Sequence, residues 1–413
     1  MKTMSEMQPV VYDKALELVL NLASPHLLPS EAVELNRAVG RTLASDVIAD
    51  LDYPGADISA MDGYCLQAAS LAGAASGRQI TLPVCGGIDA GHKLEQIPSG
   101  SCAYIATGGM LPAGADSVVP IEDVTVSADG SQVVFSAAVK AGNFVRPRAS
   151  ELKAGDRMIV AGTYITPFVI GQLATAGQTV VNTVKKPTVA ILTSGDEVLM
   201  PWEKPQPWQV RNSNCAMLRA QAEEAGANAI EIGIARDVGD HASELFLKAV
   251  ACADIVVTSG GISMGRKDPF KQVFARLQIE PIFYGIQMKP GKPVFFGKYQ
   301  NKLIFGLPGN QTSTAVTFEL LVRPFIRTLL GRTANRLIMS IELAEETHNH
   351  AKRDFFKRGR LLEKNGRMLV QPLESQESHM LSSLAGAEVL FLHPAACDRL
   401  AANTAVKCWL LKD

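Results

Sequence analysis

The 413 residues, 47% hydrophobic and 20% charged, have the composition of a soluble protein and the length of roughly three domains at about 150 residues each. Forty Lys plus Arg nearly cancel 41 Asp plus Glu, which excludes the global basic field of a nucleic-acid binder and leaves local cations for small anions. No apolar run reaches the roughly 20 residues of a membrane span, and MKTMSEMQPVVYDKALELVL lacks a secretory pattern, so a cytoplasmic protein with no membrane partner is expected.

The first predicted element is the helix in DKALELVLNLA. Next, YPGADISAMDGYCL concentrates turn residues, with Asp62-Gly63 as a tight turn. IPSGSCAYIATGGMLPAGADSVVPIEDVTV and SQVVFSAAVKAGNFVRP are short strands broken by Gly and Pro, the pattern of a small β domain. TPFVIGQLATAG is helical, and pairs with the first helix across the β-rich piece into one discontinuous domain.

From Thr188 to Leu330 strands alternate with helices: TVAILT, RNSNCAMLRAQAEEAG, NAIEIGI, HASELFLKAVACA, ADIVVTS, DPFKQVFARL, PIFYGIQM, VFFG, LIFGL and TSTAVTFELLVRPFIRTLL. That order predicts a parallel sheet covered on both faces. Gly226 suits a helix C-cap, and Asp268-Pro269 suits an N-cap with proline in the first turn. RLIMSIEL, RMLVQPL, EVLFLHP and AVKCWLL then return to short strands.

The expected fold is thus α/β and β multidomain. It has a central three-layer α/β domain with a mostly parallel sheet (187–331), a small β-rich domain (51–145), a discontinuous helical N-terminal domain (1–50 plus 146–186) and a C-terminal β-barrel-like domain (332–413).

Ligands of open parallel sheets bind beyond the carboxyl ends of the strands. There the chain places Asp196 and Glu197 in SGDE, Asp237 in ARD, TSGG with Asp268, and Lys289 and Lys292 in KPGKP. GLPGNQTST precedes a long helix and adds an N-terminus that favours anions. Glycines admit backbone N–H groups to an anion, lysines neutralise phosphate, and carboxylates hold a hard cation such as magnesium. Taken singly, Asp268 is as readily an N-cap, worth about 0.5–2 kcal/mol, and the lysines a solvated face; five loops on one rim favour a site for a phosphorylated ligand with a metal. His348 and His350 lack partners at metal-ligand spacing, and seven cysteines without a C-x-x-C pair are expected as reduced, mostly buried thiols.

SAMDGY, ATGGMLPAGAD, TSGDE, TSGGISMGRKD, MKPGKP and GLPGN, in that order from near Tyr12 to near Pro394, resemble the molybdopterin molybdenumtransferase family, the molybdenum-insertion enzymes of molybdenum cofactor biosynthesis. TSGGIS alone also resembles related molybdopterin-binding and competence-damage proteins; SAMDGY with KPGKP separates them. The resemblance implies a Mg2+-dependent transferase that inserts molybdate into adenylylated molybdopterin and releases AMP. By position it implies catalytic roles for Asp62, Glu197, Asp268, Lys289 and Lys292, and metal contacts from Glu197, Asp237 and Asp268. Substrate contacts would come from Thr107, Arg148, Ser194, Gly195, Asp237, Ser259, Gly260, Gly261, Ser263, Pro308 and Gly309, and molybdate contacts from Arg353 and Ser378. It further implies a homodimer that works between an upstream molybdopterin adenylyltransferase and downstream molybdoenzyme maturation factors. Two positions depart from the family: in NFVRPRASELKAG, where Arg-x-x-Gly-Glu-Asp is common, the chain has Arg148-Ala-Ser-Glu151 with Glu151 standing for the aspartate, and Gln311 stands where proline is usual. A pterin-binding or delivery scaffold and a molybdopterin adenylyltransferase are the alternative readings.

Overall fold

The computed structural model describes residues 6–23, 28–89, 91–236, 240–262, 268–334 and 336–412. The chain divides into two units, Met1–Val33 with Gly40–Ala44 and Asn182–Asp413, and Glu34–Val39 with Ser45–Val181.

Helix α1 (Tyr12–Leu20) buries Tyr12, Ala15 and Val19, a stripe at helical spacing. It is seated in the first unit, with the Tyr12 ring edge-on to Phe356 at 4.9 Å and to Trp409 at 6.2 Å.

The second unit is built on a sheet of β1 (Gly63–Leu66), β2 (Ile80–Ile88), β3 (Cys102–Ile105), β4 (Ser117–Pro120), β5 (Val124–Val126) and β6 (Gln132–Phe135), in the order β4-β1-β3-β2-β6-β5. Alternation splits its core: Tyr64, Leu66 and Val119 pack on one face, Cys65, Ala103 and Val118 on the other. Gly63 explains the glycine of SAMDGY, because a Cβ there would overlap the Val119 carbonyl. Helix α2 (Pro167–Thr175) belongs to this unit, so the two helices expected to pair lie in different units.

In the first unit, β7 (Thr188–Ser194), α3 (Ser213–Ala225), β8 (Asn228–Ala235), α4 (His241–Cys252), β9 (Ile255–Ser259), α5 (Pro269–Arg276), β10 (Glu280–Tyr284), β11 (Met288–Lys289), β12 (Phe295–Tyr299) and β13 (Lys302–Leu307) follow in chain order. The sheet runs β8-β7-β9-β13-β12-β10, parallel through β13 and antiparallel at β12 and β10. Val189, Ile191 and Val257 meet α1 and α3, while Ala190, Leu192 and Val256 meet α4 and α5. Both faces are covered, as a parallel sheet requires. Helix α6 (Gln311–Thr317) leads through a wide turn, Phe318–Val322, into α7 (Arg323–Leu329). Pro324 lacks an N–H for Leu320, which accounts for the irregular turn before it.

The C-terminal strands β14 (Ile338–Leu343), β15 (Asp354–Lys364), β16 (Arg367–Pro372), β17 (Val389–His393) and β18 (Ala405–Leu410) close into a five-stranded barrel, since β15 pairs with both β16 and β17. Ile341, Val370, Phe391 and Cys408 fill its core. The short β11 adds to its rim, pairing Lys289 with Phe355. Among the described residues no helix is long and apolar enough to cross a membrane.

Candidate active site

A cleft of about 500 Å3 lies beyond the carboxyl ends of β7 and β9, where a parallel sheet leaves strand ends and helix starts facing one another. Ser194, Gly195 and Glu197 form one wall, Ser259, Gly260, Gly261 and Asp268 a second, and Gly309, Asn310 and Gln311 a third. The start of α3, Asn212 to Asn214, closes the fourth side.

The glycines matter here for what they lack. Gly260 and Gly261 have φ of +83° and +67°, conformations side chains rarely adopt, and a Cβ on Gly261 would come within 2.7 Å of Ser194 Oγ. Gly195 makes room for the Glu197 carboxylate in the same way, since its Cβ would lie 2.7 Å from both oxygens. Arg236 Nη1 fixes that loop by donating to the Gly195 and Asp196 carbonyls at 2.9 and 3.1 Å.

Asp268 stands at the N-cap of α5, yet its side chain makes no capping hydrogen bond. Its Oδ2 is buried without a hydrogen-bond partner among the described residues. Burial, and then the Asp268 charge, push the Tyr284 phenol above its ordinary value. A buried carboxylate oxygen without a donor is costly in isolation, and this one lines the cleft.

Asn214 and Asn212, absent from the sequence-based site, order the cleft. Asn214 Nδ2 donates to Ser259 Oγ at 2.9 Å and to the Gly309 carbonyl at 2.7 Å, tying β9 to the loop before α6. Ser259 Oγ in turn donates to the Pro308 carbonyl at 3.0 Å, so its hydroxyl is engaged in holding the walls together. Asn212 caps α3 by accepting from Cys215 N at 3.1 Å and donates to Thr193 Oγ1 at 2.8 Å. The asparagine before the helix start is a cap signal legible in RNSN; nothing in sequence marks Asn214.

The other expected residues fall elsewhere. Asp237 and Ser263 lie outside the described residues. Ser378 joins the third wall: its Oγ accepts from Asn310 Nδ2 at 3.1 Å and its carbonyl from Thr312 N at 3.2 Å. Arg358, fully buried, holds the segment carrying Ser378 by donating to Ser375 O at 3.0 Å, Glu377 O at 3.2 Å and Ser383 Oγ at 3.1 Å. Lys289 and Lys292 are not among the residues lining the cleft. The Lys289 ammonium lies 4.6 Å from the Phe355 ring centroid, and that of Lys357 lies 5.1 Å from the same ring. The Arg353 carbonyl accepts from Asn349 Nδ2 at 2.9 Å.

Lys357 is 5% exposed and donates to Thr347 Oγ1 and to the His348 carbonyl. Burial first, then Lys289 and Arg358, lower its pKa from 10.5 to about 8. Below about pH 8 both folded and unfolded chains carry this charge, and the folded one bears the desolvation cost. Between about 8 and 10.5 only the folded chain has lost the proton, so stability should rise with pH by at most about 1.4 kcal/mol per unit. Denaturant unfolding at pH 7.5 and 9.5 should show that rise reduced in Lys357→Met; the same rise in both proteins would refute it.

In the second unit, Asp62 Oδ1 accepts from Thr107 N at 2.6 Å and Thr107 Oγ1 at 2.8 Å. The Thr107 N–H, then its hydroxyl, hold the Asp62 carboxyl below its ordinary range. Arg148 is held separately, its N donating to Asp57 Oδ1 at 2.8 Å and its Nε to Asp52 Oδ2 at 2.5 Å. Among the described residues no group of three or more His, Cys, Asp or Glu is placed to hold a metal, and His348 and His350 stack on each other at 5.9 Å.

Family models match in chain order: the MoeA N-terminal region (domain I and II) over residues 10–177, the probable molybdopterin binding domain over 190–328 and the MoeA C-terminal region (domain IV) over 340–411. The molybdopterin molybdenumtransferase of Haemophilus influenzae is 32% identical over 367 residues, covering 87% of this chain and 88% of its own. The chain belongs to the molybdopterin molybdenumtransferase family. The Bacillus subtilis molybdopterin molybdenumtransferase is 29% identical over 409 residues, 98% of this chain and 95% of its own. A crystal structure of the molybdopterin biosynthesis moeA protein from Pyrococcus horikoshii superposes with a TM-score of 0.83 at 25% identity, covering 98% of this chain and all of that one. The multidomain α/β fold and C-terminal barrel expected of a molybdopterin molybdenumtransferase are thus the ones observed.

Proposed function

We propose that this chain inserts molybdate into adenylylated molybdopterin and releases AMP, with Mg2+ as cofactor. The observation that carries the reading is the buried Asp268 Oδ2, without a hydrogen-bond partner among the described residues, in a glycine-walled cleft. Glu197 and Asp268, both lining the cleft, fit a hard divalent cation that takes few protein carboxylates alongside substrate phosphates. Bound there, magnesium would neutralise charge on the phosphoanhydride as it breaks.

The chain's own residues do the rest. Gly195, Gly260 and Gly261 keep the walls clear of side chains, so phosphate oxygens can approach the backbone. Asn214 and Ser259 hold the second and third walls in register. Lys289, Lys292, Arg353 and Ser378 are the proposed molybdate and anion contacts, charge-assisted donors of the kind an oxyanion takes. Asp62, with Thr107 orienting it, and Arg148 are further proposed catalytic and substrate-binding residues.

Incubation of the purified chain with adenylylated molybdopterin, magnesium and molybdate should release AMP. Tight pterin binding without AMP would support a delivery scaffold, and consumption of ATP with free molybdopterin would support an adenylyltransferase.

The two departures bear on rate. Gln311 is the first residue of α6, a position whose N–H has no intrahelical partner and where proline preorganises the start. Glu151 carries one methylene more than aspartate, and about 1 Å of misplacement at a reacting centre costs on the order of 10²-fold. Glu151→Asp with Gln311→Pro should therefore raise AMP release at saturating substrate; an unchanged rate would show both departures to be neutral.

We also place the chain in the cytoplasm as a homodimer, between an upstream adenylyltransferase and downstream maturation factors. Leu51 and Phe168 of the second unit, 71% and 88% exposed, are the large apolar side chains such an interface would cover. Phe168→Glu should shift the sedimenting species from dimer toward monomer; an unaltered dimer would remove Phe168 from the interface.

A further inference from the structure

Trp202 and Trp208 are 77% and 71% exposed, while the third tryptophan, Trp409, is 3% exposed. Tryptophan is ordinarily mostly buried, so two indoles held in water within seven residues, WEKPQPW, call for a partner. The segment is not slack. Glu203 N donates to Met200 O at 3.0 Å and Met200 N to Glu203 Oε2 at 2.7 Å. Gln209 N donates to Gln206 O at 2.9 Å and Gln206 N to Gln209 Oε1 at 3.1 Å. Pro201, Pro205 and Pro207 restrict the backbone further.

The root of this loop is the cleft wall itself. Val198–Leu199 pairs with Val210–Arg211, and Val198, Val210 and Arg211 all line the cleft. Arg211 Nε donates to the Glu203 carbonyl at 3.1 Å, so a cleft residue is bonded to the residue next to Trp202. The described lining is polar and glycine-rich and includes no aromatic side chain. It suits phosphates and leaves a flat ring without a stacking surface.

We propose that Trp202 and Trp208 form a stacking subsite for the planar fused nitrogen heterocycle, purine or pterin, of a ligand whose phosphates occupy the adjoining cleft. The inference rests on the function proposed above. Indole is the strongest of the aromatic platforms, every such heterocycle presents a π face, and a rigid loop spends little conformational entropy on presenting the rings.

The test measures affinities of the full-length chain for AMP, 6-hydroxymethylpterin and pyrophosphate by calorimetry, in the parent, Trp202→Ala/Trp208→Ala and Trp202→Phe/Trp208→Phe. The alanine pair should lose about tenfold or more in affinity for a heterocyclic probe, keep its affinity for pyrophosphate, and recover most of the loss as the phenylalanine pair. A loss confined to AMP assigns the subsite to purine, and one confined to the pterin assigns it to pterin. Equal affinities for all probes in parent and alanine pair would overturn the stacking subsite and leave the cleft reading intact. A changed oligomeric state with unchanged affinities would overturn it in favour of a contact between copies. Failure of the parent to bind any of the three would overturn both the cleft reading and the subsite.

Discussion

Asp268→Asn is expected to lower AMP release by at least about 100-fold, because a cation at a transferring phosphoryl group is worth several kcal/mol and each 1.4 kcal/mol is tenfold. The fold should survive. The Asp268 side chain makes no capping bond that the substitution could remove, and the amide has the same shape. It also removes the charge from a half-buried side chain whose buried Oδ2 has no donor among the described residues, so the melting temperature should hold or rise. AMP release with magnesium and molybdate, together with thermal unfolding, measures both effects. Normal turnover would show that Asp268 has no part in the chemistry; lost turnover with a much lower melting temperature would make its role structural.

Arg358→Met should be the most damaging change to stability. The thioether replaces most of the buried stem but none of the three donor contacts, leaving the Ser375 and Glu377 carbonyls and the Ser383 hydroxyl without them. A buried group that loses its partner costs about 1–3 kcal/mol; the Ser383 contact is fully buried and the Ser375 and Glu377 carbonyls only partly so, so a loss of about 2 kcal/mol or more is expected in denaturant unfolding. Burial draws the guanidinium down to about 10, which leaves it charged at neutral pH. Arg358→Lys restores charge but not the planar fork and should recover only part of the loss. Because Ser378 meets Asn310 and Thr312 from the segment Arg358 holds, AMP release should fall as well. A variant as stable as the parent would show that this segment holds itself.

The sequence was most informative where one local rule decided the outcome. The unbroken apolar runs in TVAILT and ADIVV, buried on both faces of the sheet, the left-handed Gly226 cap and Pro269 at the start of α5 all follow from the chain within a few residues. The glycine loops and Glu197 were legible for the same reason, since parallel strands deliver their following loops to one rim. Contacts between distant segments were not legible. Asn214 reads as an ordinary first-turn helix residue until β9 and Gly309 are beside it, and Arg358 reads as a surface cation in KRDFFKRG until the barrel closes over it. Lys289 was expected on the rim because it follows a strand of the sheet; β11 instead pairs with the barrel and sets the ammonium over Phe355. The antiparallel pairing of β12 was not read from the run of three strands; β12 turns back on β13 through a tight connection, while β10 reaches β12 only after the excursion through β11.

The seat of α1 also bears on the order in which this chain can fold during synthesis. Tyr12 rests on Phe356 of β15 and Trp409 of β18, so the two ring contacts of this helix wait for barrel strands made long after it, while the rest of its stripe meets the sheet and the α6–α7 region. The β7–β9 layer can form earlier from neighbouring segments, whereas the α1 contacts close a loop of nearly the whole chain and carry a correspondingly large entropic cost. Until β18 emerges from the ribosome, the Tyr12 ring lacks its Trp409 partner and leaves an apolar edge on the nascent chain, the kind of exposure that calls on chaperones.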